Sequence, residues 1–118
     1  MQRKIMTVAA IKNLVLDKGA TFKQVFRYKD SAGEPMDLSN HTAVFRIVDA
    51  FSGEEIKSVV ADLSLINGEA GYITVTITDE ETSLFKRGKE AYALEVESEG
   101  EIERLLMGSL EVRTVAGD

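Results

Sequence analysis

Apolar and polar residues alternate along several short segments of this chain. The alternation is regular in residues 43–48, 73–78 and 92–97, and Gly, Asp, Ser and Asn residues separate such segments from one another. Because successive side chains of a β-strand point to opposite faces, this pattern predicts sheets with one buried and one solvated face. The chain is therefore expected to fold as an all-β protein.

Turn residues divide the chain into seven predicted strands. These strands are 11–16, 20–29, 42–49, 55–60, 72–78, 91–98 and 102–115. The separating turns are 17–19, 30–35, 52–53, 67–68 and 99–100, where Gly combines with Asp, Asn, Ser or Glu. Strand 55–60 has the mixed polarity of an edge strand, whereas strand 72–78 has the composition of a central one. Gly108 in the last strand indicates a β-bulge or a close backbone approach.

One segment carries the signature of a short helix. Thr78 is placed as the N-cap, with Glu81 three residues later and acidic residues 79–80 in the first turn. Basic residues 86–87 and then Gly88 are expected to end the helix. The segment predicts one or two helical turns between two late strands, with two apolar residues plugging the core, Leu84 and Phe85.

Strands at this spacing, with one helical crossover, predict an immunoglobulin-like antiparallel β-sandwich of about seven or eight strands. A closed eight-stranded barrel is the alternative. Tyr92 begins the penultimate strand, where either a tyrosine corner or an ordinary core tyrosine fits. The predicted core consists of Phe22, Phe26, Phe45, Ile47, Ile73, Val75, Ile77, Leu94, Val96 and Leu110.

Composition is compatible with one globular domain. The chain has 118 residues, and 44% of them are hydrophobic, which suffices for a core without disulfides, and Cys does not occur. Residues 5–11 are apolar apart from Thr7, and the segment is too short for a membrane span and poorly matched to a signal peptide. We therefore expect a soluble protein made in a cytoplasm, with an N-terminal arm at 1–10 and a single domain over 11–118.

Charge is distributed unevenly along the chain. The formal net charge is −6, but residues 1–29 contain seven basic residues and one acidic residue, for +6, and the remainder sums to −12. Such a chain can balance its charge internally or against a neighbouring copy. The acidic total argues against nucleic acid as a partner. The arm combines basic and apolar residues that are candidates for an interface, unless it is a frayed terminus: Arg3, Lys4, Ile5, Met6 and Val8.

Residue types with catalytic or metal-binding potential do not form a recognisable motif. His41 is the only imidazole, and no nucleophile motif accompanies it. Glu95, Glu97 and Glu99 recur at every second position, which is typical of a solvated strand face or an electrostatic docking face. No Gly-rich loop precedes a helix, so nucleotide binding is not indicated. We expect no catalytic residue, metal or cofactor.

The order of these segments resembles a family of small phage virion domains. The family includes the N-terminal domain of siphophage baseplate upper proteins and related tail- or head-associated sandwiches. The resemblance is carried by 16–22 (LDKGATF), 29–38 (KDSAGEPMDL), 71–77 (GYITVTI) and 104–108 (RLLMG).

This resemblance implies a non-enzymatic virion structural protein that docks onto other virion proteins as a baseplate or tail component or a capsid decoration protein. Self-association is compatible with that role. In the baseplate proteins a long extension follows this domain, whereas the present sequence ends at Asp118, which favours a stand-alone decoration or adaptor. The alternative is a carbohydrate-binding or host-adhesion module, for which Tyr72 and Phe51 are the candidate stacking aromatics.

Overall fold

Two β-sheets pack against each other in the computed structural model, which describes residues 10–114. The elements are β1 (Ala10–Ile11), β2 (Leu14–Asp17), β3 (Phe22–Arg27), β4 (Thr42–Val48), β5 (Glu55–Val60), β6 (Tyr72–Ile77), α1 (Asp79–Thr82), β7 (Gly88–Ser98) and β8 (Glu101–Arg113). The large sheet has the order β1-β8-β7-β4-β5, with β2 also paired to β8, and the small sheet pairs β3 with β6. The expected all-β sandwich, with one short helix between two late strands, is confirmed.

The strand directions differ in part from the expectation. β4, β5, β7 and β8 form antiparallel pairs, but both β1 and β2 run parallel to β8. A parallel neighbour needs a long connection, and here everything between β2 and β8 supplies it. The large sheet is open, with β5 at one edge, so the closed barrel is wrong and the edge position of β5 is confirmed. β6 pairs with β3 along one edge but is bonded on its other edge only at Thr74, to Asp62, so it is only in part the central strand that was expected.

The predicted first strand is interrupted opposite Gly108. Tyr92 Oη donates a hydrogen bond to the carbonyl oxygen of Lys12 (2.6 Å), and Ser109 N donates to Asn13 Oδ1 (3.2 Å). A Cβ on Gly108 would lie 2.2 Å from that same Lys12 oxygen, so only glycine allows the two backbones to approach. The close approach is confirmed. Because the hydroxyl bond of Tyr92 reaches a residue 80 positions away, Tyr92 is not a tyrosine corner.

The core lies between the two sheets. Nine of the ten predicted core residues are buried, and Phe26 is half-buried against them. Phe45 occupies the middle: its ring lies 5.1 Å from that of Tyr92 on the neighbouring strand and 5.9 Å from that of Phe22 in the opposite sheet. The aromatic contacts therefore tie the two layers together.

Helix α1 begins as the sequence predicts but ends earlier. The Thr78 hydroxyl accepts from Glu81 N, and the Glu81 carboxylate accepts from Thr78 N, which completes the capping box. The helix ends at Thr82, whose Oγ1 is anchored by accepting from Gly19 N (3.0 Å) and donating to the Ala20 carbonyl (2.8 Å). Residues 86–87 and Gly88 therefore lie beyond the helix, and Gly88 is the first residue of β7.

Of the two residues predicted to enter the core after the helix, one does so. Phe85 is buried, whereas Leu84 is 83% exposed. Residues 83–85 form a turn in which Leu84 N bonds the Glu81 carbonyl and Phe85 N bonds that of Thr82, and this turn directs Phe85 into the core and leaves Leu84 in solvent. The expected involvement of Leu84 in the core is wrong.

Candidate docking surfaces

A chain of ion pairs crosses the solvent-facing side of the large sheet. The register sets Arg46 beside Ser58 on β5, and Arg104 of β8 beside Glu95 of β7. Glu95 Oε1 lies 3.5 Å from Arg46 Nη2, and its Oε2 lies 3.1 Å from Arg104 Nη2. The Glu95 side chain is only 15% exposed. Glu95, a predicted interface residue, is thus engaged within its own sheet through both carboxylate oxygens.

The far end of this ion-pair chain is Glu55. Its carboxylate receives hydrogen bonds from Ser58 and then Arg46, which hold its pKa below the ordinary value of 4.5. The hydrogen bond to Glu55, together with the nearby Glu95 charge, raises the pKa of Arg46. The arginines and carboxylates therefore neutralise one another, and this row offers little net charge to a partner.

The turn between β7 and β8 carries carboxylates of a different kind. We call Glu97, Glu99 and Glu101 the acidic tip; all three are exposed, and none forms an ion pair with a described residue. Glu99 and Gly100 adopt positive φ angles of 53° and 82°, which produce the tight reversal that the sequence predicts. Ile102, the cross-strand neighbour of Glu97, is 64% exposed beside them. Two of the three predicted carboxylates, Glu97 and Glu99, therefore belong to one accessible acidic and apolar surface.

The loop between β4 and β5 has a hydrogen-bonded backbone and presents an exposed aromatic side chain. The Asp49 carboxylate accepts from Phe51 N (2.8 Å) and Ser52 N (2.9 Å), and Gly53 N donates to the Asp49 carbonyl (2.9 Å). The hydrogen bonds from Ser52 and Phe51 hold the pKa of Asp49 below 3.8. The backbone is therefore ordered, while the Phe51 side chain is 98% exposed. Sequence reasoning considered Phe51 for sugar stacking only.

The connection between α1 and β7 completes this end of the sandwich. Leu84 is exposed there, and Lys86 and Arg87 follow it. Val48, the last residue of β4, pairs with Ala91 near the start of β7, so this connection lies at the same end of the large sheet as the β4–β5 loop. We call Phe51, Leu84, Lys86 and Arg87 the loop end. Sequence reasoning missed this cluster because its two halves are more than 30 residues apart and because Leu84 was assigned to the core.

Of the two aromatic residues considered for sugar stacking, Phe51 is exposed and Tyr72 is half-buried. Tyr72 lies on the small sheet, and the Arg27 guanidinium is 4.3 Å from the centre of its ring. Arg27 also pairs with Glu69 at 3.2 Å, which fixes the guanidinium over the ring. One face of Tyr72 is therefore covered, and Phe51 belongs to a loop between two strands of the other sheet.

His41 lies at the entry to β4, half-buried, with its backbone N–H bonded to the Leu38 carbonyl (3.1 Å). Its Nδ1 atom is buried and makes no hydrogen bond within the described part of the chain.

The residues from 10 to 114 contain no group of three His, Asp or Glu side chains arranged to hold a metal ion. Nor does that part of the chain contain a helix with the length and apolarity needed to cross a membrane. The candidate interface residues of the predicted arm lie outside the described residues: Arg3, Lys4, Ile5, Met6 and Val8. Ala10 was also assigned to the arm, but it belongs to β1 and pairs with Leu106 of β8.

Comparison with known proteins gives structural similarity without sequence similarity. No family model matches the sequence, and no curated protein matches it. The N-terminal domain of phage TP901-1 ORF48 superposes with a TM-score of 0.52 at 14% identity, covering 92% of this chain and 91% of that domain. The chain has the fold of a phage protein domain. An uncharacterized protein from Bacillus anthracis str. Ames aligns with a TM-score of 0.44 at 11% identity, over 89% of this chain and 85% of that one.

Proposed function

We propose that this protein is a non-enzymatic structural component of a bacteriophage virion, docked on the particle as a baseplate or tail component or as a capsid decoration protein. The observation that carries the proposal is the fold shared with a phage protein domain over nearly the full length of both chains. Fold alone does not determine function, so the surfaces must carry the rest of the argument.

The surfaces favour protein docking over catalysis or sugar binding. Apolar side chains are exposed at both ends of the sandwich, Phe51 and Leu84 at one and Ile102 at the other. Carboxylates and cations without ion-pair partners among the described residues accompany them. Apolar anchors surrounded by charge are the usual composition of a protein–protein interface, in which the charges provide orientation and the anchors provide affinity.

The proposal is tested by the protein content of purified phage particles. The phage that encodes this chain is grown, its particles are purified by density gradient and washed at high salt, and the chain is quantified by mass spectrometry against the major capsid protein. We expect a fixed copy number per particle that survives the wash. A matched preparation from phage lacking the gene provides the background.

A chain found only in the lysate supernatant, at background level in the particles, would contradict the virion assignment. A glycan array on the isolated protein separates the adhesion alternative: specific glycan binding that Phe51→Ser abolishes would favour a carbohydrate-binding module. The virion proposal expects no such binding.

A further inference from the structure

We propose that copies of this chain associate head to tail, with the loop end of one copy contacting the acidic tip of the next. This inference rests on the proposed function, since it assigns one of the contacts that such a virion component would make. It begins from the loop end, where Phe51 and Leu84 are 98% and 83% exposed. Large apolar side chains held on an ordered backbone lose little entropy on binding and are typical anchors of an interface.

The cations of the loop end have no ion-pair partner among residues 10–114. Lys86 and Arg87 are exposed, and neither lies within ion-pair distance of a described carboxylate. Of the acidic residues in α1 that precede them, Glu81 pairs with Lys57 at 3.0 Å, and Asp79 and Glu80 lie in the first turn, where they complement the helix dipole. The loop end therefore presents an apolar surface with adjacent positive charge.

The acidic tip has the complementary character. Glu97 is the cross-strand neighbour of Ile102, an exposed apolar side chain that Phe51 or Leu84 of another molecule can cover, and Glu99 and Glu101 lie in and beside the same turn. Docking the loop end there would pair Lys86 and Arg87 with carboxylates and remove apolar side chains from water on both sides. Charge complementarity thus identifies a second copy of this chain as the occupant.

The loop end and the acidic tip of one molecule are too far apart to contact each other. Lys86 and Arg87 immediately precede β7, and the acidic tip begins near its end. Eleven residues of strand at about 3.4 Å per residue separate the surfaces by roughly 35 Å. That distance is several times the Debye length of about 8 Å at physiological salt. Because the two surfaces differ, the contact is heterologous and produces either a closed ring or an open stack.

The experiment is sedimentation velocity on the purified full chain, over a range of protein concentrations at about 20 mM and about 500 mM salt. We expect the average mass to rise above the 13.0 kDa of the monomer with concentration at low salt, and to fall towards it at high salt. Phe51→Ser should raise the dissociation constant at least about tenfold. Val60→Ser, which alters an apolar side chain that is also largely exposed but lies on β5, should behave as wild type. Thermal melts confirm that each variant is folded.

Charge reversal provides the decisive arm. Lys86→Glu with Arg87→Glu makes both surfaces acidic, and Glu97→Lys with Glu101→Lys makes both basic. Each double variant alone should be monomeric, whereas an equimolar mixture should associate, because each surface then meets its opposite in the other variant. A wild-type chain that stays monomeric at every concentration, a Phe51→Ser chain that associates as wild type, or a mixture that remains monomeric would overturn the inference. A monomeric chain that is nevertheless present in particles would overturn this contact and leave the virion proposal intact.

Discussion

Phe45 and Arg46 are neighbours on β4, but Phe45 contributes to the core and Arg46 to the solvent-facing surface. Phe45 is fully buried against Phe22 and Tyr92, whereas Arg46 faces solvent and pairs with Glu55 and Glu95. Phe45→Ala should lower the free energy of unfolding by about 3–5 kcal/mol, a large part of a typical total of about 5–15. Arg46→Ala should cost no more than about 1 kcal/mol, because its ion pairs are partly exposed. Urea unfolding measures both, and equal effects would contradict the assigned orientation of β4.

A second residue-scale prediction concerns Gly108. An alanine there would place its Cβ 2.2 Å from the Lys12 carbonyl oxygen, so the backbone of the β1–β2 segment must move, and the hydrogen bond from Tyr92 must lengthen or break. Gly108→Ala should destabilise by about 1–3 kcal/mol. Its control is Gly33→Ala, which also has a positive φ of 85° but open space around it, so that only backbone strain is added. A thermal melt in which Gly108→Ala matches wild type would contradict the close approach.

The sequence marked Gly108 as unusual but did not identify what approaches it, because Lys12 is almost a hundred residues away in the chain. The ion pairs of Glu95 were not predicted for the same reason, because its partners are also distant in the sequence. Alternation alone grouped Glu95 with Glu97 and Glu99, but only the pairing of β7 with β4 and β8 brings Arg46 and Arg104 beside it. Residue-scale patterns give the face on which a side chain lies, whereas its partners depend on strand register.

At the scale of elements, local hydrogen-bonding signals were the most predictable part of the fold. The capping box of α1 involves four consecutive residues, 78–81, and formed as expected. The end of the helix was not predictable, because it depends on tertiary contacts of Thr82 with Gly19 and Ala20. Leu84 was assigned to the core for a related reason, because the turn after Thr82 buries Phe85 and leaves Leu84 exposed at the loop end.

The cap itself gives an element-scale prediction. Thr78→Ala removes the oxygen that accepts from Glu81 N, and should lower the free energy of unfolding by about 1 kcal/mol. Self-association and particle incorporation should be unchanged, because the cap is structural. Thr76→Ala, at an exposed position of β6, is the matched control and should cost less. A folded Thr78→Ala protein that no longer associates would show instead that the acidic end of α1 belongs to the interface.

The stability of the protein should depend on pH through Asp49 of the β4–β5 loop. The pKa of Asp49 lies below 3.8 because its charged form accepts backbone hydrogen bonds. The stabilisation from a lowered pKa is complete above the unfolded value and is lost as the pH falls through the folded value. The melting temperature should therefore be nearly constant from pH 7 to 5 and fall below about pH 4. Asp49→Asn keeps an acceptor oxygen but removes the charge, so it should make the fall shallower; an unchanged profile would contradict the role of Asp49.

At the scale of the whole molecule, the sequence predicted strand positions well and sheet membership poorly. The apolar period of β6 suggested a central strand, yet β6 pairs with β3 in a sheet of only two strands. Burial in a sandwich comes from the facing sheet as much as from lateral neighbours, so a buried face does not reveal the number of paired edges. The parallel pairing of β1 and β2 with β8 was equally invisible to local pattern.

The N-terminal residues provide a whole-molecule prediction. Deleting residues 1–9, which ends before β1, should leave the melting temperature of the domain nearly unchanged but weaken incorporation into particles. The difference between full-length and truncated protein should narrow as salt rises, because salt screens the contribution of Arg3 and Lys4. Incorporation is measured by competition between the two forms at equal concentration. Equal incorporation at low salt would contradict a docking role for these residues and leave the folded surfaces as the interface.

Docking on a virion can be measured directly by rebinding. Particles are purified from phage lacking the gene, mixed with increasing amounts of the purified chain, separated from unbound protein by sedimentation, and the bound copies are counted. At protein concentrations at which the purified chain is monomeric, docking on the virion predicts saturable binding at the copy number found in wild-type particles, with no binding to particles that already carry the chain. Binding that does not saturate, or no binding to the deficient particles, would contradict it.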